Sequence, residues 1–461
     1  SDYLTTDLSF GGAFEAGFGL HDFLILLPTR RAVRELRQAL LNKAGTNSLL
    51  LPDIKPLADV DETDLFFNLT DPTILDLPPV IPQLQRESFF MTEILNWVTE
   101  SGADKKLSNN IVKAAALAAD LSSFLNQAQT EEIDLSELQN LVDDQFAKNW
   151  QETVAFLSIL TAKWPAYRDR KGGADPSEHR NRLLRAQAQL WHDTPPSRPV
   201  IAAGSTGSIP ATADLLKQIL HLPNGMVILP GLDSNMAPET WALLAQEDAH
   251  PQSGLYHLLQ RLDVPRSSIR TFGTSKKTIR EGRGQESSNA RRNFLSLALL
   301  PSDHTLQWTR ASQIVSNLEV ALDGLHYYEA PDMRREAEVI ALAMREALEA
   351  KGKKAVLVTP DRHLARRVAV ALKRWKIDIN DTAGLALADT TIGVLIRLSL
   401  EAVSTGFAPV SLLSVLKHPA VCFQQNRQAY LDDVQQLERV LLRGPRLPAG
   451  LNGLRRRLDQ L

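Results

Sequence analysis

The hydrophobic positions of this chain fall into two alternating patterns. Short apolar runs end at Pro or Gly turns, and longer stretches repeat apolar residues every three or four positions. Phe23-Leu24-Ile25-Leu26-Leu27 is the first short run and predicts a buried parallel strand. Pro28-Thr29 ends it. Arg30 to Lys43 then reads as a helix, with Val33, Leu36 and Leu40 on one face and Thr29 as its N-cap. A connector with Pro72, Pro78, Pro79 and Pro82 follows. Residues 84–193 are patterned as helices almost throughout. Phe89, Phe90, Ile94, Leu95 and Val98 form one stripe. Val112, Ala116, Ala119, Ser123 and Asn126 form a weaker one, and Trp150, Val154, Leu157, Leu160 and Trp164 a third. This predicts a helical subdomain inserted into an α/β domain.

The strand–helix alternation then resumes. Pro199 to Ala203 reads as a strand, Gly204-Ser205-Thr206-Gly207-Ser208 as a turn, and Pro210 as the first turn of a helix reaching His221. Met226 to Leu229 is the next strand, ending near Asp233. Residues 265–288, rich in Ser, Gly, Lys and Arg, predict an exposed loop. A second block begins near Leu325, with a helix over Arg334 to Lys351, a buried strand over Ala355 to Thr359 and a helix over Arg362 to Trp375. Helices return beyond Phe407. The pattern predicts an α/β fold with residues 1–80 plus 195–325 as a first domain and 81–194 as its helical insertion. Residues 326–405 form a second domain and 406–461 the start of another insertion.

The two blocks echo each other. Leu26-Leu27-Pro28-Thr29-Arg30 and Val358-Thr359-Pro360-Asp361-Arg362 each open a helix, 332 residues apart and without gaps. Arg34 falls on Arg366, Leu36 on Val368, Ala39 on Ala371 and Leu40 on Leu372. Open α/β sheets bind ligands outside the carboxyl ends of their strands. A helix N-terminus there offers free N–H groups to an anion, and neighbouring arginines can hold phosphates. The competing reading is convergent strand–turn–helix grammar with solvated arginines.

Composition changes this picture little. The chain has 461 residues, 44% hydrophobic and 23% charged, enough for roughly three domains at about 150 residues each. Its net charge of -3 carries no global basic field, so any nucleic-acid contact must be local. The single Cys422 excludes an internal disulfide, a Cys-based zinc site and an iron–sulfur cluster within these residues. No apolar run reaches the ~18 residues that span a bilayer. The opening Ser1-Asp2-Tyr3 does not read as a signal peptide, and a reducing cytoplasm is the expected compartment.

Assembled chemistry is missing. No Gly-x-x-x-x-Gly-Lys-Ser/Thr string exists to hold nucleotide phosphates. Gly11-Gly12 through Gly19 is glycine-rich but lacks the lysine and reads as a flexible segment. Gly204 to Ser208 joins a strand to a helix as phosphate loops do, again without lysine. It is either a tight structural turn or an anion or DNA-backbone contact. Pro331-Asp332 with Glu349-Ala350-Lys351 spells a metal-nuclease signature, but the Glu and Lys sit at the end of a predicted helix, where they cannot converge with the Asp on one ion. The ten histidines are scattered without ligand spacing.

The landmarks resemble a known family. Leu26 to Arg31, Leu51 to Glu62, Val200 to Ala213, Glu329-Ala330-Pro331-Asp332 with Arg335-Glu336-Ala337, and Leu416-Lys417-His418-Pro419 resemble, in order, segments of the AddB subunits of AddAB helicase–nucleases, in their alphaproteobacterial type. The resemblance implies two RecA-like domains of superfamily 1 helicase type with helical insertions. It implies an AddA-like helicase–nuclease partner, resection of broken duplex DNA ends, and reading of a Chi-type sequence on the single strand. It places the family's nuclease metal and its four-cysteine iron–sulfur cluster outside this chain, which would make the chain an N-terminal portion. Neither ATP nor another cofactor is expected here, nor any catalytic or metal-binding residue. DNA contact is expected at Thr29, Arg30, Arg31, Lys55, Gly204, Ser205, Thr206 and Arg362, with a strand crossing the carboxyl edges of both sheets. Three functions stay open: a non-catalytic DNA-reading scaffold, an active ATP-dependent helicase core, and a structural adaptor that never touches DNA. The motif census favours the first.

Overall fold

The first apolar run forms strand β1 (Leu24–Leu27), buried along its whole length. It is followed by helix α1 (Arg30–Ala44), which buries Val33 and Leu40. Thr29 caps this helix as expected, its Oγ1 accepting the Ala32 N–H at 3.1 Å. Strand β2 is Asp53–Pro56. Helices α2 (Gln83–Ser101), α3 (Ile111–Glu131), α4 (Ala147–Ser158), α5 (Trp164–Lys171) and α6 (Pro176–Asp193) come next, with a π turn at Ile159–Lys163 joining α4 to α5. Then come β3 (Val200–Ala203), α7 (Pro210–His221), β4 (Gly225–Ile228), α8 (Pro238–Leu243), α9 (Ser253–Leu262), α10 (Arg283–Ala298) and α11 (Leu318–Leu322). This is a computed structural model, and it describes residues 18–44, 50–57, 77–101, 110–136, 147–270, 283–310, 318–423, 426–443 and 450–459. The chain divides into two compact units, Ser1–His326 and Tyr327–Leu461.

The strands of the first unit form a four-stranded parallel sheet in the order β2-β1-β3-β4. Alternate residues of a strand face opposite sides. Leu24, Leu26, Val200 and Ala202 face one layer, packing with Leu184 and Trp191 of α6, Leu215, Leu216 and Ile219 of α7, and Leu255, Leu258 and Leu262 of α9. Ile25, Leu27, Ile54 and Ile201 face the other, where α1 supplies Val33 and Leu40. Helices on both faces explain why β1 and β3 are continuously apolar rather than alternating.

The insertion has a core of its own, built on Phe90, Ile94, Ala114, Leu121, Ile159 and Trp164. At its centre is a fully enclosed ion pair. Arg86 donates to Asp175 at 3.0 Å, to Ser122 at 3.0 Å and to Asn126 at 2.9 Å, while Asp175 also accepts from Trp164 Nε1 and Gln129. Every charge there is hydrogen-bonded, which is what burial of ions requires. The stripe expected on α3 is corrected. Val112, Ala116, Ala119 and Ser123 are exposed, and the buried face is Ala114, Ala118, Leu121, Leu125 and Ala128. Alanines recur on both faces, and the two leucines decide which one packs.

The second unit contains α12 (Met333–Glu349), α13 (Arg362–Lys373), α14 (Thr391–Ser404), α15 (Pro409–Leu416), α16 (Arg427–Leu437) and α17 (Leu451–Leu458). Helices α12 and α13 pack through Ala337, Ala341, Leu364, Val368, Ala371 and Leu372. The buried strand expected at Ala355 to Thr359 is not formed. No strand pairs with it among the described residues, and Val356 and Val358 are 81% and 90% exposed. An apolar run becomes a strand only where a neighbour takes up its backbone N–H and C=O groups. The echo therefore holds for the helices and fails for the strands. The loop expected over 265–288 is also corrected, since α10 begins at Arg283. Residues 271–282 lie outside the described residues, as do Gly11 to Gly17 and Ala58 to Glu62.

Candidate nucleic-acid interface

Strands β1 and β3 are neighbours, with Leu24 opposite Val200, Ile25 opposite Ile201 and Leu26 opposite Ala202. From β1 the chain passes through α1 to β2 on one side. From β3 it passes through α7 to β4 on the other. The strand order therefore reverses between β1 and β3, and α1 and α7 cover opposite faces. Such a switch point opens a crevice outside the carboxyl ends of the two strands. Two separated sequence segments meet there: Pro28-Thr29-Arg30-Arg31 and Gly204-Ser205-Thr206.

The second turn is shaped by its glycines. Gly204 has φ +79 and donates its N–H to Ile228 O at 2.9 Å, and a Cβ on it would lie 3.5 Å from Pro28 Cγ. Gly207 has φ +59, and a Cβ there would stand 2.4 Å from Leu258 Cδ1. Both positions favour glycine by conformation, and the second by space as well. Ser205 Oγ accepts the Gly207 N–H at 3.2 Å, and Thr206 is exposed. Helix α7 starts with Pro210 at its first turn, and no side chain caps it. In the first turn, Thr29 and Arg30 are exposed and Arg31 is half-buried. One terminal nitrogen of Arg31 is enclosed and has no hydrogen-bond partner among the described residues.

The end of β4 is occupied by its own chain. Asp233 accepts from the Asn235 and Met236 N–H groups at 2.9 and 3.0 Å, and its own N–H reaches Gln252. Arg266 donates to Asp233 O and Met236 O and lies 4.7 Å from the centre of the Trp241 ring. Burial lowers the Arg266 guanidinium from its ordinary range, and the Asp233 carboxylate opposes that shift. Among the described residues, the β1–β3 crevice is the part of the edge built by β1, β3 and β4 that is not filled in this way.

Two further expected contacts, Lys55 and Arg362, belong to other elements. Lys55 is 7% exposed, and its Nζ lies 3.4 Å from Asp53, two positions toward the amino end of β2. This ammonium is buried and paired toward the amino end of β2. Arg362 opens α13 in the second unit. Its two terminal nitrogens hold Asp381 at 3.1 and 2.6 Å, which raises the guanidinium above its ordinary pKa. Asp361 caps the same helix by accepting the His363 N–H.

The nuclease-like spelling is disposed of by geometry. Asp332 caps the start of α12 and Glu349 ends it, so 17 helical residues, or about 26 Å, separate them. Among the described residues, no group of three or more His, Cys, Asp or Glu is placed to hold a metal ion. No described helix is long and apolar enough to cross a membrane. The switch point itself could not be found from sequence, because it depends on which strands become neighbours. No protein-family model matches the chain, and no curated protein sequence does either.

Proposed function

We propose that this chain is a non-catalytic, helicase-like scaffold of AddB type that holds single-stranded DNA at the β1–β3 crevice during processing of broken duplex ends. On this reading the first unit carries a degenerate RecA-like domain with a helical insertion. Residues 326–405 correspond to a second RecA-like domain represented by packed helices. The motor and nuclease functions belong to an AddA-like partner.

The observation that carries the reading is the meeting of Thr29, Arg30 and Arg31 with Gly204, Ser205 and Thr206 at a topological switch point. Backbone N–H groups at the uncapped start of α7, hydroxyls and guanidinium groups line one edge there. That combination grips phosphates without reading base identity. The turn after β1 lacks the lysine that would hold β- and γ-phosphates, so the reading assigns no ATP chemistry to it. Arg362 is the corresponding basic position at the first turn of α13.

The test is the affinity of the whole chain for a labelled oligothymidylate across a salt series. The Arg30→Ala, Thr206→Ala double variant should bind more weakly, with a log–log salt slope reduced by about 0.7 for the lost ionic contact. Unchanged affinity and slope would leave the chain as an adaptor that does not touch DNA at this edge.

A further inference from the structure

A basic groove runs between α12 and α13 in the second unit, lined by residues other than those named above as DNA contacts, with Arg362 one position before its first α13 residue. It encloses about 500 Å³ and is lined by Arg334 and Glu338 of α12 and by His363, Arg366, Arg367 and Val370 of α13, with Arg374 just beyond. Its floor is made of Ala337 and Ala371, both buried, so two small side chains set its depth. Positions 363, 366, 367, 370 and 374 share one face of α13 by helical spacing.

The charges in the groove do not cancel. Glu338 is the lining carboxylate, and it is already engaged by Arg334 Nε at 3.2 Å and by Arg335 at 3.3 Å. The side chains of Arg366, Arg367 and Arg374 are exposed and have no ion-pair or hydrogen-bond partner among the described residues. From Arg366 to Arg374 the row runs about 12 Å along the helix. Solvated arginines on a helix face need no groove, and arginines serving the α12–α13 packing would pair with α12 carboxylates. Three unpaired arginine side chains lining one concave surface fit a ligand with several anionic groups in a row.

We infer that this groove is a second strand-binding site, taking consecutive backbone phosphates of a single-stranded nucleic acid on Arg366, Arg367 and Arg374. The cations come from the geometry. The choice of a strand over another polyanion rests on the DNA-holding function proposed above. Guanidinium forks suit phosphate oxygens, and a row of them follows a backbone where one would hold only a single anion. Glu338 acts as an internal competitor that keeps Arg334 and Arg335 from the ligand.

The experiment uses the whole chain and a labelled oligothymidylate, with inorganic tripolyphosphate as competitor. The Arg366→Gln, Arg367→Gln, Arg374→Gln variant should lose about tenfold or more in affinity, and its salt slope should fall by about 2, at 0.7 per contact. A triple lysine variant should keep the slope. Glu338→Gln should bind more tightly than wild type, a gain that a merely structural role would not produce. Circular dichroism checks the fold of each variant. If the glutamine variant binds as wild type does while the Arg30→Ala, Thr206→Ala variant is weakened, the groove inference is overturned and the crevice reading stands. If the crevice variant is unchanged and the groove variant is weakened, the crevice reading falls alone. Displacement of the strand by equimolar tripolyphosphate would overturn the inference in favour of a compact anion site.

Discussion

Leu26 on β1 lies in register with Ala202 on β3. The turns that follow these residues leave the sheet side by side, and their helices go to opposite faces. That pairing brings Thr29 and Ser205, 176 positions apart in the sequence, to one edge. The proposed function depends on it more than on any single side chain.

The turn after β3 should tolerate little change. Gly204→Ala forces an L-residue into a left-handed conformation and is expected to cost about 1–2 kcal/mol. Gly207→Ala adds a collision with Leu258 and is expected to cost about 2–4 kcal/mol. Urea denaturation of both variants checks the order. Equal stabilities would mean that Leu258 yields freely.

The enclosed Arg86–Asp175 pair is expected to hold the insertion together. Arg86→Ala leaves the Asp175 carboxylate buried without its main cation and should cost about 3–5 kcal/mol. A double-mutant cycle with Asp175→Asn measures the coupling, and a coupling near zero would contradict the arrangement of the network.

Glu438 should make the second unit sensitive to acid. Hydrogen bonds from Lys417 and then Arg443 hold its carboxyl below the ordinary range. A carboxyl with a depressed folded pKa contributes stability above the ordinary carboxylate pKa and loses it as pH falls through the folded value. The acid limb of the stability profile should therefore flatten in Glu438→Gln. A profile identical to wild type would show that both cations contribute nothing.

Legibility from sequence divided along physical lines. Strands β1, β3 and β4 were readable because strands covered on both faces give unbroken apolar runs ended by turns. Strand β2 was not, because Asp53-Ile54-Lys55-Pro56 mixes charge and proline, which the edge position tolerates. Ala355 to Thr359 showed the opposite failure, an apolar run with no strand beside it. Arg30 and Thr206 were readable as turn residues, but their proximity follows from strand order, which no local pattern carries. The burial of Lys55 and its pairing with Asp53 are not visible in a motif. Helical spacing puts Arg366, Arg367 and Arg374 on one face of α13, but the groove they line follows from the packing of α12 against that helix.

Arg362 tests how far the second unit takes part. Its guanidinium is held by Asp381, so Asp381→Asn should free it and raise strand affinity, while Arg362→Ala should lower it. Oligothymidylate titrations of the two variants must move in opposite directions. Movement in the same direction would mean that this pair only shapes the loop.

With no lysine to hold β- and γ-phosphates, the purified chain should hydrolyse no ATP with or without DNA. A DNA-stimulated rate that survives removal of contaminating enzymes would contradict the scaffold reading.

The most direct test of the central claim is to photo-crosslink the whole chain to a single strand carrying 4-thiothymidine and map the joined peptides by mass spectrometry. The crevice account predicts crosslinks within 28–31 and 204–206, lost together in the Arg30→Ala, Thr206→Ala variant. Crosslinks in the first unit that avoid both turns, or that persist unchanged in the variant, would contradict it.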